Sequence, residues 1–368
     1  MPLSLRKFIQ RLFRAPMIRL ADKLSSRPDK AAVFKALSTL YDDIENGKTT
    51  RGRIQPFDPD KARYIIFSDE HKGGKDEADD FMPAESNYIA ALQHYYAEGF
   101  TFINLGDCEE LWENKPAVTL DKNKASLDEE VKFLQAGRYH RMFGNHDLEW
   151  GYAVPENLYL KPVFGPSLEV KEGLILRATM QQQTASIFLT HGHQGDQRSD
   201  GNAFSKWVVA AIWTPIQRYL EISLNTPSDS FELADAHNII MYEWSATRRN
   251  RVLISGHTHK PVFASLDHID RLNKQLQKAQ AENNTTLMAE LQIALDTRRK
   301  EYAGKQQVKT MAHPSYFNTG CCCFSDGDCT GIEIADGFIR LVKWKDNGHG
   351  TERMVLEESP LFYLFDQL

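Results

Sequence analysis

Residues 63–68 read Arg63-Tyr64-Ile65-Ile66-Phe67-Ser68, and the run stops abruptly at Asp69-Glu70-His71. A short apolar run with no alternation, closed by polar residues, is expected of a strand covered on both faces. The same phrase recurs along the chain. Thr101–Leu105 (TFINL) leads into Gly106-Asp107, and Tyr139–Phe143 into Gly144-Asn145-His146-Asp147. Ser186–Thr190 (SIFLT) leads into His191-Gly192-His193, and Arg251–Ser255 (RVLIS) into Gly256-His257-Thr258-His259. Leu174–Met180 reads as a further strand, while Phe81–Gly99 and Leu127–Ala136 read as helices between the early strands. Strands alternating with helices predict a layered α/β fold. Gly331–Trp344 alternates around Asp336-Gly337, a hairpin signal.

Five strand ends that each carry Asp, Asn or His define the candidate site, because α/β sheets gather their active groups in the loops at one edge. In extended chain, residues i and i+2 point the same way. Asp69 and His71 are therefore expected to share a cavity with Glu70 facing out, and His257 and His259 to do so around Thr258. The glycines before Asp107, Asn145 and His257 permit tight turns. Carboxylate, carboxamide and imidazole together suit divalent Mn, Fe, Zn or Ni. His193 is placed equally well for the cavity or for a structural hydrogen bond. Cys108 reads as a small buried residue and Cys321–Cys323 as mostly core, with Asn318 and Thr319 on the pocket wall. Arg198, Arg248 and Arg249 are candidate phosphate anchors, since guanidinium binds such groups bidentately.

Taken in order, SDEHKG, GDCEE, GNHD, THGH and GHTH resemble the five blocks of the calcineurin-like metallophosphoesterase superfamily, over about residues 62–345. The resemblance implies a calcineurin-like β-sandwich flanked by helices in αββα layers. It implies that Asp69, His71 and His259 hold one divalent ion, that Asn145, His191 and His257 hold the other, and that Asp107 bridges them. Mn²⁺ is the expected ion. A shared hydroxide would attack in line at a phosphomonoester, phosphodiester or pyrophosphate bond, with His146 acting near the leaving oxygen and Asp147 orienting it. The form GDCEELW of the second block is similar to the UDP-2,3-diacylglucosamine pyrophosphohydrolase branch, which points to a lipid-linked nucleotide. That branch typically carries Arg where this chain has His146. A nuclease or protein phosphatase of the same superfamily, and a non-catalytic scaffold on the same fold, are the alternative readings.

The surrounding sequence frames this body. Hydrophobic residues make up 42% and charged residues 26% of the 368 residues, ordinary values for a globular protein. A net charge of −6 gives no electrostatic reason to expect nucleic acid. Five cysteines, three adjacent, make no disulfide framework and fit a reducing, cytoplasmic setting. No apolar run reaches the roughly 20 residues of a membrane span. Residues 1–60 read as an N-terminal helical segment. Within it, residues 3–24 carry Leu5, Phe8, Ile9, Leu12 and Phe13 at helical spacing among basic residues, a pattern that suits either docking on protein or an anionic membrane surface. Residues 61–350 form the expected catalytic domain. It carries a helical cap insertion at 197–250 and a helical-hairpin insertion at 267–303, the latter suited to a protein partner or self-association. Residues 351–368 are left as a C-terminal segment.

Overall fold

The computed structural model describes residues 28–180, 183–195, 231–265, 313–366 and part of 276–295. Two sheets are stacked face to face. In the seven-stranded sheet the order is β12-β11-β10-β2-β3-β4-β5, and in the five-stranded sheet it is β1-β6-β7-β8-β9. Their ranges are β1 Gly52–Pro56, β2 Arg63–Phe67, β3 Thr101–Asn104, β4 Tyr139–Met142, β5 Val170–Lys171 and β6 Gly173–Met180, then β7 Gln183–Thr190, β8 Arg251–Ser255, β9 Tyr316–Asn318, β10 Cys329–Ala335, β11 Phe338–Asp346 and β12 Thr351–Pro360. Strands β2 to β5 run parallel, as do β7 to β9. Parallel neighbours bring their C-terminal ends, and the loops that follow, to a common edge.

The apolar runs are sorted by the pleat. Tyr64 and Ile66 of β2 enter the layer between the sheets, where they meet Leu174, Leu176, Ile187, Leu189, Val252 and Ile254. Ile65 and Phe67 point to the other face and pack under helices. Strands of the second sheet divide likewise, with Ile175, Phe188 and Leu253 facing a helical layer of their own. Central strands such as β2, β7 and β8 are thus covered twice, which is why their sequences show no polar alternation. The result is the expected αββα arrangement.

Helix α1 (Lys30–Glu45) begins at Asp29, whose Oδ1 accepts from Ala31 N at 2.8 Å. Its buried face, Val33, Leu37, Leu40, Tyr41 and Ile44, follows the 3.6-residue repeat and lies on the five-stranded sheet. Helix α2 (Glu85–Ala97) presents Tyr88, Ala91, Leu92 and Tyr95 to the seven-stranded sheet. Helices α3 (Pro116–Lys122) and α4 (Lys124–Gln135) complete that face. Helix α5 (Phe231–Ala246) packs beside α1 through Met241 and Trp244. The hairpin between β10 and β11 turns at Asp336 (φ 54°) and Gly337 (φ 78°), both left-handed as a tight primed turn demands.

Several stretches of the sequence reading meet this frame differently. The basic segment 3–24, Arg198 and cap residues 197–230 lie outside the described residues. The rest of the cap is α5 and the turn after it. In the proposed hairpin arm, Asn284 Oδ1 accepts from Leu287 N at 3.1 Å, and Ala279, Leu291 and Leu295 bury one another with Leu276 and Met288 against them. Residues 351–360 form the edge strand β12 and 361–366 form helix α6 (Leu361–Asp366). Residues 52–56 likewise join a sheet, as β1 pairing with β6. Among the described residues no helix is long and apolar enough to cross a membrane.

Candidate metal centre

The two sheets each deliver part of one buried cluster. Loops after β2, β3 and β4 of the seven-stranded sheet bring Asp69, His71, Asp107 and Asn145. Loops after β7 and β8 of the five-stranded sheet bring His191, His257 and His259. His259 Nε2 lies 3.3 Å from Asp69 Oδ1 and 3.0 Å from His71 Nε2. Asp107 Oδ2 lies 3.1 Å from His191 Nε2 and 3.7 Å from His71 Nε2, so it reaches towards both halves. Asn145 Oδ1 is 3.2 Å from His191 Nε2. Donor atoms of Asp69, His71 and His259 fall within 4.8 Å of one another, and those of Asp107, His191 and His257 do the same. All seven predicted ligands therefore converge.

Their backbone is not extended, contrary to the spacing argument. Asp69 (φ 55°), His71 (51°), Asp107 (52°), His257 (71°) and His259 (54°) occupy the left-handed region. Non-glycine residues held there carry a cost on the order of 1–3 kcal/mol each. Surrounding hydrogen bonds hold them: His71 N donates to Asp107 O at 3.0 Å, and Cys322 N to Asp69 O at 3.1 Å. Two glycines make the close approach possible. A Cβ on Gly144 would overlap the Asp107 carboxylate, and one on Gly256 would overlap Ser68 and Asp69. Glu70, expected to face outward, is fully buried beside Lys72 and Glu130, and burial pushes its carboxyl up to about 8.

Histidine tautomers are fixed from behind. Leu105 O accepts from His191 Nδ1 at 3.0 Å, and Glu110 Oε2 accepts from His71 Nδ1 at 3.0 Å. Each ring thus turns an Nε2 lone pair inward, the state a metal ligand needs. Asn318 Nδ2 donates to Gly256 O at 2.6 Å, and the Thr319 and Ser68 hydroxyls lie 2.6 Å apart, so both residues buttress the loops rather than only lining a wall. Burial alone would raise the Asp69 and Asp107 carboxyls, but the facing histidines, His191 foremost, hold both below the usual range.

His146 stands beside the cluster, and its partner is not the one expected. Its Nδ1 lies 2.6 Å from Glu110 Oε2, and its ring stacks on Trp112 with centroids 4.1 Å apart. Against the effect of burial, Glu110 and then Asp107 push His146 up to about 9, while the histidines pull Glu110 down to about 2. Asp147 instead accepts from Gly144 N at 2.6 Å and Cys108 N at 2.9 Å. It shapes the loop and leaves the ring of His146 to Glu110. Glu110 and Trp112 are neighbours of His146 that the motif GDCEELW contains but to which the sequence alone assigns no role.

Of the remaining candidates, Cys108 and the described arginines lie apart from the site, and His193 stays beside it. Cys108 donates to Asn104 Oδ1 at 2.8 Å, and burial pushes its thiol well up, so it stays a protonated core residue. His193 is buried with its ring 5.4 Å from that of His191. Arg248 and Arg249 precede β8, whereas the metal loop follows it. Five strand residues put them roughly 16 Å away at the opposite sheet edge, with Arg248 facing Asp42 at 3.5 Å.

Hard oxygen donors and inward-facing imidazoles, with two Nε2 atoms 3.0 Å apart, require a cation or a proton between them and fit a pair of divalent ions. A sequence model of the calcineurin-like phosphoesterase family matches residues 62–261, more than half of the 368-residue chain. No curated protein matches the chain closely enough to count as a relative.

Proposed function

The chain belongs to the calcineurin-like phosphoesterase family, and from that premise we propose that it is a hydrolase of small-molecule phosphoesters worked by a pair of divalent ions on its seven clustered ligands. The observation that carries this reading is the convergence of ligands from both sheets beside a histidine held by a half-buried carboxylate. Divalent ions bound there would neutralise phosphoryl charge and make water nucleophilic near neutral pH. Asp69, His71 and His259 would hold one ion, Asn145, His191 and His257 the other, and Asp107 both. Mn²⁺ is the ion proposed. His146, kept protonated by Glu110, would donate to the leaving oxygen, and Trp112 stacked on its ring would keep water from competing for that proton.

Retention of the full donor set together with His146 supports catalysis over a scaffold role. For the substrate, the GDCEELW form supports a nucleotide diphosphate linked to a lipid, a reading for which α5 beside the His191 loop offers a wall: His237 Nε2 lies 2.8 Å from Gly192 O. The test is a hydrolysis panel with added Mn²⁺, comparing aryl phosphomonoesters, aryl phosphodiesters and nucleoside diphosphates with and without acyl chains. Preference for the acylated diphosphate supports the lipid-linked reading, and preference for a simple ester moves the substrate elsewhere in the class. Metal-loaded protein that cleaves none of them sinks the catalytic proposal.

A further inference from the structure

Three consecutive cysteines have no part in the chemistry above. They follow β9 through Gly320 (φ 77°) and then diverge. Cys322 enters the helix-side core with Cys329, whereas Cys321 and Cys323 flank His259. Cys323 Sγ lies 3.7 Å from His259 Nδ1, and donor atoms of Cys321, Cys323 and His259 fall within 4.8 Å of one another. The opposite edge of the same ring, Nε2, faces Asp69 and His71. One imidazole therefore borders two donor sets of different character.

The loop is held in place before any ion arrives. Cys321 N donates to Thr330 Oγ1 at 3.2 Å, Thr330 N returns to Cys321 O at 3.0 Å, and Cys322 N is tied to Asp69 O. Cys321 is buried and Cys323 half-buried, so the pair opens to solvent on the Cys323 side.

We propose that Cys321, Cys323 and Nδ1 of His259 form a separate site for a thiophilic divalent cation such as Zn²⁺ or Cd²⁺. Two thiolates and an imidazole are a ligand set such ions prefer, while the oxygen-rich cage next to it suits harder ones. Tetrahedral Zn–S and Zn–N bonds place sulfur and nitrogen about 3.5 Å apart, against the 3.7 Å between Cys323 and His259. Solvent supplies the remaining position. Binding releases both thiol protons and, while Nε2 keeps its own ion, the Nδ1 proton, so the ring becomes a shared bridge.

The measurement is a Co²⁺ titration of the purified full-length protein, read by thiolate-to-cobalt charge-transfer absorption, which oxygen and nitrogen ligands do not give. The band is expected in the native protein and in Cys322→Ser, and is expected to be lost in the Cys321→Ser/Cys323→Ser double variant. Because that variant alters a packed loop, alkylation of Cys323 by iodoacetamide in the unmutated protein provides a second readout, and Cd²⁺ should slow it several-fold. Absence of the band, its survival in the double variant, or alkylation indifferent to Cd²⁺ overturns the site. None of these readouts depends on phosphoester hydrolysis, so the two proposals stand or fall separately.

Discussion

Through a single carboxylate oxygen, Glu110 meets Nδ1 of both His71 and His146. One side chain thereby orients a metal-facing ring and sustains the charge of the proposed proton donor. Glu110→Gln keeps the shape and removes the charge. Glu110 is the foremost influence raising His146 to about 9, so its loss lets that value fall. A group that acts protonated then becomes inactive at lower pH, and the alkaline limb of the kcat profile should move towards neutrality. His146→Ala should abolish that limb and lower kcat by about 10²–10⁴-fold, the usual worth of a positioned acid, with metal content retained. A pH–rate profile with metal analysis checks both; an unmoved limb in Glu110→Gln rules out its role in sustaining the charge of His146. The ligands themselves were legible because each sits immediately after an apolar run. Glu110 was not, because its meeting with His71 and His146 spans 39 and 36 residues of chain and depends on how two loops return. The left-handed φ values were equally invisible, since non-glycine residues rarely adopt them and only the surrounding hydrogen bonds enforce them.

Among the elements, legibility tracked burial. Strands covered on both faces, β2, β3, β7 and β8, announce themselves as unbroken apolar runs within a few residues of their observed ends. Edge strands do not. In β12, Glu352, Arg353, Glu357 and Glu358 interrupt the apolar positions, and its sides are at most half-buried, so its sequence resembles a solvated tail. Such charges are how an edge strand avoids pairing with other chains. β1 is short and ends at Pro56, which weakens its signal in the same way. The C-terminal elements nonetheless contribute to the core: Leu361, Leu364 and Phe365 of α6 are buried with Ile334 and Ile339 between the sheets. Leu364→Ala should therefore cost about 2–5 kcal/mol, read as a lower denaturant midpoint. Activity per folded molecule should be unchanged, because α6 carries none of the ligands. A stability loss below roughly 0.5 kcal/mol, the scale of a surface substitution, would show that α6 does not close the core.

At the scale of the whole molecule, the metal centre lies on the seam of the sandwich. Asp69, His71, Asp107 and Asn145 come from one sheet and His191, His257 and His259 from the other, so ions shared among them would join two layers that otherwise meet at that end through apolar contact and a few hydrogen bonds, His257 N to Asp69 and His191 Nδ1 to Leu105 O among them. Without the ions, two buried carboxylates and several left-handed residues are brought together mainly for histidine partners. Chelation should accordingly act on stability as well as on rate. An ion present at 100 times its Kd adds about 2.7 kcal/mol by mass action. At roughly 2–4 °C per kcal/mol for a domain of this size, removal with EDTA should lower Tm by about 5–10 °C. Restored Mn²⁺ should reverse the shift. His191→Ala, which leaves Asp107 and Asn145 without their cross-sheet partner, should start lower and respond weakly to the chelator. A native protein whose Tm ignores EDTA while its activity collapses would mean that packing and hydrogen bonds hold the seam without help, with the ions serving chemistry and not architecture.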